Sequence, residues 1–148
     1  MNDFSACRKR FLLEQSVTHR PFQTSLFMNQ QLHNLRSRTK EFALRIVRMY
    51  SSLPSTSVAQ VMGKQVLRSG TSIGAHYREA TRARSDAEFI SKLEVALQEL
   101  DETSYWLELL VESGMVSESK MRLLIQETDE LIAVLTTCVK KTKQRNSN

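Results

Sequence analysis

Gly63–Glu99 reads GKQVLRSGTSIGAHYREATRARSDAEFISKLEVALQE. It holds three of the four glycines in the chain, the densest run of arginine, and an abrupt change from basic to acidic side chains. Two helical patterns meet at Ala83–Arg84–Ser85. Before the junction, Met62, Val66, Ser69, Ile73, Tyr77 and Ala80 recur at the three- and four-residue steps of one buried helix face. After it, Ser85-Asp86-Ala87-Glu88 forms a capping box, in which the serine hydroxyl takes a free N–H of the first turn and the glutamate reaches back. Leu93, Leu97, Leu100, Ser104, Leu107 and Val111 then mark the face of a third helix, and Gly114 stands where a left-handed residue closes one.

The rest of the chain supplies partners for these two helices. Upstream, Leu32, Leu35, Phe42, Ile46, Met49 and Leu53 predict a helix from about Gln31 to Ser52, with Thr39 filling one gap and Pro54 ending it. Glu41 and Arg45 on its outer side have the spacing of a helical ion pair. The second helix is expected to start at Ser57, with Gln60 reaching back in a weaker capping box. A fourth helix follows Ser117 to about Lys143, on a stripe of Met121, Leu124, Thr128, Leu131, Leu135 and Cys138. Its acids lie early and its lysines late, as the helix dipole favours. Four long amphipathic helices with short turns predict an all-α fold, an antiparallel up-and-down four-helix bundle. The expected divisions are a flexible N-terminal extension over 1–30, the bundle over 31–143 and a frayed tail over 144–148. Residues 1–30 show no sustained period and contain Pro21, and Met28 just before the organised sequence is a candidate start.

Composition agrees with this fold. In 148 residues there are 4 glycines and 2 prolines, fewer than sheets and their turns consume. Cys7 and Cys138 lie near opposite ends with no metal or redox spacing, which fits a reduced, cytoplasmic setting. No apolar run is long enough to cross a bilayer, so no membrane partner is expected.

Sites of chemistry are hard to find. No glutamate is followed three residues on by histidine, as a ferritin-like di-metal bundle needs. His76-x-x-Glu79 supplies two ligands at most, and a lone histidine on a helix is more often packed than ligating. No strand precedes a glycine-rich phosphate loop. The third helix carries its acids on a solvated face, without an apolar pocket to raise a pKa. The sequence therefore predicts no catalytic residues, no metal, no cofactor and no enzyme.

Charge says more. The net charge of +5 conceals ten basic against two acidic residues over 35–84, then one against eight over 85–114. Arg38, Arg45, Arg48, Lys64, Arg68, Arg78, Arg82 and Arg84 are candidates for a phosphate-binding surface, with Tyr77 available for stacking on a base. Alternatively the arginines pair with acids of the third helix, within one subunit or across an interface. Gly63, Gly70 and Gly74 form a small-residue line, and glycine inside a helix costs about 1 kcal/mol relative to alanine. Close approach of another backbone would offset that cost. The neighbour is either a helix of the same bundle or a second subunit, with His76, Tyr77 and Glu79 as further interface candidates.

At these residues the chain resembles a family of bacterial four-helix bundle proteins first noticed as products of intervening sequences within large-subunit ribosomal RNA genes. The resemblance rests on Glu41-Phe42-Ala43-Leu44-Arg45-Ile46-Val47-Arg48, on Leu67-Arg68-Ser69-Gly70-Thr71-Ser72-Ile73-Gly74-Ala75 and on Tyr77-Arg78-Glu79-Ala80. It continues through Glu88-Phe89-Ile90-Ser91-Lys92-Leu93, Ala96-Leu97-Gln98-Glu99 and Tyr105-Trp106-Leu107-Glu108-Leu109, and covers about Leu32 to Lys143. His76 departs from it, since the family usually has asparagine there. The resemblance implies a ring-like homo-oligomer, typically a pentamer. It also points to the basic, barrel-shaped accessory proteins of diversity-generating retroelements, which associate with a reverse transcriptase and with RNA or DNA. No settled activity comes with the ribosomal-insert branch.

Overall fold

The structure, a computed structural model, describes the backbone of residues 21–147 and side chains from Asn34 onward. Four helices and no strand occur among the described residues: α1 (Pro21–Ser51), α2 (Ser57–Ala80), α3 (Asp86–Glu112) and α4 (Glu118–Arg145). The bundle occupies Leu32–Asn148, and the first turns of α1, through Gln31, belong to a separate unit. The expected extension over 1–30 falls partly outside the described residues. Its part from Pro21 is helical and continuous with α1, ten residues ahead of the start the periodicity gives. Proline is well suited to a first helical position, because its fixed φ is preset and its missing N–H is not needed there.

Each turn has a local cause. Ser52 and Leu53 close α1 with N–H bonds to the Met49 and Tyr50 carbonyls, one residue before Pro54. The cap of α2 is Thr56 rather than Ser57: its backbone is extended and its Oγ1 accepts from the Ala59 N–H at 3.3 Å. Gln60 does not reach back to the cap. It ties the turn instead, donating to the Pro54 carbonyl at 3.0 Å and accepting from the Tyr50 hydroxyl at 3.1 Å. At α3 the Ser85 hydroxyl accepts from the Glu88 N–H at 3.1 Å, and the Glu88 carboxylate accepts from the Arg84 N–H at 2.9 Å. Gly114, with φ of 73°, turns the chain out of α3.

The helices run up, down, up and down, and contacts along each neighbouring pair fix the register. Ile46 lies against Gly70 and Thr39 against Gly74 between α1 and α2. Thr103 meets Ser69 between α3 and α2. Lys143 meets Glu94 between α4 and α3, and Arg38 meets Glu127 and Glu130 between α1 and α4. The ring of helices thus closes on itself. Its core is built from Phe42, Ile46, Val66, Ile73, Tyr77, Leu93, Leu100, Leu107, Leu131 and Leu135, each at most 1 % exposed. On α3 the buried line runs through Ala96, Thr103 and Leu110, where the spacing had favoured Leu97, Ser104 and Val111. The stripe is therefore turned about one residue toward α2, where Thr103 finds its hydroxyl partner.

Candidate nucleic-acid interface

Three of the four seams between helices are laced by ion pairs. On α1–α4, Arg38 Nε reaches Glu127 Oε1 at 2.7 Å and its Nη2 reaches Glu130 Oε2 at 2.6 Å, with Arg45 3.9 Å from Glu127. Burial opposes the charge on Arg38, but hydrogen bonds and charge from Glu127 and then Glu130 outweigh it and hold the guanidinium pKa above its ordinary value. On α2–α3, Arg68 binds Glu102 and lies 3.7 Å from Glu99, while Lys92 binds Glu79 at 2.6 Å. On α3–α4, Lys143 binds Glu94 and Arg145 binds Asp86, both at 2.7 Å.

The α1–α2 seam is different. Only Glu41 and Glu79 bring acid to these two helices, and Glu79 is engaged by Lys92. The seam is sealed by glycine instead of charge. A Cβ on Gly70 would stand 2.8 Å from the Ile46 side chain, and one on Gly63 would run into Leu53 and Tyr50. The small-residue line thus packs against α1 of the same subunit, one of the two neighbours expected for Gly63, Gly70 and Gly74.

This division sorts the eight candidate cations. Arg38, Arg45 and Arg68 are committed to carboxylates of α3 or α4, and Arg84 lies 3.6 Å from Glu88. Arg45 turns to Glu127 rather than to Glu41, its expected partner one helical turn back. Arg48, Lys64, Arg78 and Arg82 are exposed and make no ion pair among the described residues. Arg36 and Lys40, left out of the candidate set, share that condition. The signal for them was present: Arg36 and Lys40 lie four residues apart on the flank of α1 that turns to α2. Lys64, Arg78 and Arg82 lie along the flank of α2 that turns to α1. Because Thr39 lies against Gly74, the antiparallel register brings Arg36 level with Arg78. Five cations without an ion pair among the described residues therefore line one groove, Arg36, Lys40, Lys64, Arg78 and Arg82. The dipole at the end of α2 further favours the last two.

Of the other interface candidates, Tyr77 alone has no exposed surface. It sits in the core, where burial pushes its phenol pKa up, so it is unavailable for stacking or for subunit contact. The Glu79 carboxyl is held below its ordinary range by its hydrogen bond to Lys92. His76 is half-buried toward α3, with Nδ1 3.7 Å from Glu79 and no hydrogen-bond partner. No group of three or more His, Cys, Asp or Glu that could hold a metal ion occurs among the described residues, and no described helix is long and apolar enough to cross a membrane.

Residues 33–137 match the family described as 23S rRNA-intervening sequence protein. The chain belongs to that family. It is also similar to a crystal structure described as a protein with unknown function from the S23 ribosomal protein family of Bacteroides thetaiotaomicron VPI-5482. The two are 41 % identical with a TM-score of 0.69, over 74 % of this chain and 97 % of that one. No curated protein matches. Neither description names a reaction. The side chains of this chain show three charged seams, and a glycine seam flanked by cations that make no ion pair among the described residues.

Proposed function

We propose that this chain is a non-enzymatic bundle that self-associates and binds nucleic acid, RNA foremost, through the groove between α1 and α2. The observation that carries the reading is the sorting of charge. Arg38, Arg45 and Arg68 are neutralised across the seams to α3 and α4, whereas Arg36, Lys40, Lys64, Arg78 and Arg82 make no ion pair among the described residues. A double row of unpaired cations fits a phosphate backbone, and it reads charge and shape rather than base edges.

A labelled RNA hairpin titrated with the full chain tests this. If the five cations each displace a counterion, affinity falls about 10²–10³-fold between 50 and 200 mM salt. Reversing Arg78 and Arg82 together to glutamate abolishes binding and leaves the assembly and helix content intact. Unchanged RNA affinity in that variant overturns the reading.

A second reading, a scaffold or protein-interaction module such as a reverse-transcriptase accessory subunit, is favoured by the large apolar side chains exposed on α2 and α3. It predicts that the same reversal breaks the assembly and that RNA does not bind at physiological salt.

A further inference from the structure

The groove between α1 and α2 is shallow, and its cations fall into two groups. The helices meet at Gly70 and Gly74, whose missing side chains let Ile46 and Thr39 close on the α2 backbone. Arg36, Lys40, Arg78 and Arg82 gather toward the α2–α3 turn, since Arg36 is level with Arg78. Lys64 lies about 21 Å from Arg78 along α2 at the helical rise. Arg48 of α1 is about one turn from Lys64 across the seam. Between the two groups the surface carries no charge. Ala43 and Val47 of α1, with Leu67, Thr71 and Ala75 of α2, are exposed or half-buried there and form a neutral saddle of short side chains.

Among the described residues no aromatic ring is open to a base on this saddle. Phe42 and Tyr77 are buried, Phe89 packs on the core, and the Tyr50 ring lies against Gly63 with its hydroxyl donated to Gln60. Tyr105 and Trp106, with rings 5.1 Å apart, stand on α3 among Asp101, Glu102 and Glu108, where a phosphate backbone is repelled. Single strands are held by basic grooves that also carry aromatic platforms for successive bases. Here the groove cations and the exposed rings belong to different faces. A surface that meets phosphates and sugars alone suits a duplex, whose bases are already stacked and turned inward.

Shape selects the form of that duplex. Two helices of about 10–12 Å diameter side by side are broader than the major groove of B-DNA, about 12 Å, and no long side chain rises from the saddle to enter its narrow minor groove. The minor groove of an A-form RNA helix is wide and shallow and displays 2′-hydroxyls. Thr71 donates its hydroxyl to the Leu67 carbonyl at 2.7 Å, which leaves oxygen lone pairs to accept from a 2′-hydroxyl. Resting on the nucleic-acid binding proposed above, we infer that the ligand of this groove is double-stranded RNA. The neutral saddle lies over the minor groove, and the two groups of cations take the phosphates on either side of it.

Fluorescence anisotropy of the full chain at about 50 mM salt tests the assignment. The probes are a blunt labelled RNA duplex, one of its strands alone in a sequence that does not fold on itself, and the DNA duplex of the same sequence. The RNA duplex binds about 10-fold tighter than either of the others. Ala75→Trp, at an exposed position, sets a bulky ring on the saddle. It weakens the RNA duplex about 10-fold and leaves the single strand bound as before or more tightly, through stacking. Val47→Trp, on the facing wall, is the second variant should the first lose its helical circular dichroism. A single strand or a DNA duplex bound as tightly as the RNA duplex, or a duplex affinity that a folded tryptophan variant leaves unchanged, overturns this assignment and leaves nucleic-acid binding standing. If none of the three probes binds, both fall.

Discussion

Thr103 and Ser69 place their hydroxyls 2.8 Å apart in the core, and Ser69 passes the chain on to the Gln65 carbonyl at 3.0 Å. Both residues are fully buried. The pair is a polar lock between α2 and α3, with each member able to fall back on a carbonyl of its own helix. Thr103→Val is therefore expected to cost about 1 kcal/mol in urea unfolding. The double variant with Ser69→Ala should cost less than the sum of the two singles, and strict additivity would show that the hydroxyls do not interact.

The glycines of α2 are not equivalent. A Cβ at Gly70 would lie 2.8 Å from Ile46, whereas one at Gly74 would meet nothing nearer than the Thr39 carbonyl at 3.5 Å. Gly70→Ala is expected to destabilise by about 1–3 kcal/mol through overpacking. Gly74→Ala should be neutral or stabilise by up to about 1 kcal/mol, because alanine is the better helix former. Thermal melts of the two variants check the contrast, and equal shifts would contradict it.

Arg38 and Arg78 are expected to separate stability from binding. Arg38→Ala strips Glu127 and Glu130 of a partly buried partner, an expected loss of about 1–3 kcal/mol, with RNA affinity unchanged. Arg78→Ala, at an exposed position with no ion pair among the described residues, should leave the urea midpoint where it is and weaken RNA binding. Measuring both quantities on both variants gives four values, and a crossed pattern is the expected result.

Acid should loosen the α2–α3 seam. The hydrogen bond from Arg68 holds the Glu102 carboxyl below its ordinary 4.5, against the opposing effect of burial and with help from Trp106. Glu79 is lowered likewise by Lys92. A carboxyl whose folded pKa is depressed contributes stability above its unfolded pKa and loses it as pH falls through the lowered folded value. The urea midpoint should accordingly drop below about pH 4.5, the ordinary carboxylate value. Glu102→Gln should make that drop shallower. A midpoint flat down to pH 3 would remove the seam from the ledger of acid sensitivity.

Much of this architecture is legible in the sequence, because its determinants are local. The cap at Ser85, the left-handed Gly114 and the stop before Pro54 each depend on a few neighbouring residues. The start of α2 is off by one, since Thr56 and Ser57 both carry hydroxyls and only the extended backbone at Thr56 chooses between them. The helix from Pro21 is missed because its residues show no amphipathic period. Tyr77 illustrates a conflict within the sequence itself: the spacing that puts it on the buried stripe also denies it to a base. Which arginines are neutralised is not legible one residue at a time. It depends on the helix each flank meets, and Arg45 prefers Glu127 across the seam to Glu41 along its own helix.

Each adjoining pair of helices in the bundle is joined by contacts of its own, and the apolar core closes within a single chain. If copies associate as proposed above, dilution should then release intact folded monomers instead of unravelled chains. In that case a cell could raise or lower the number of joined subunits by expression level alone, without exposing a core to chaperones or proteases.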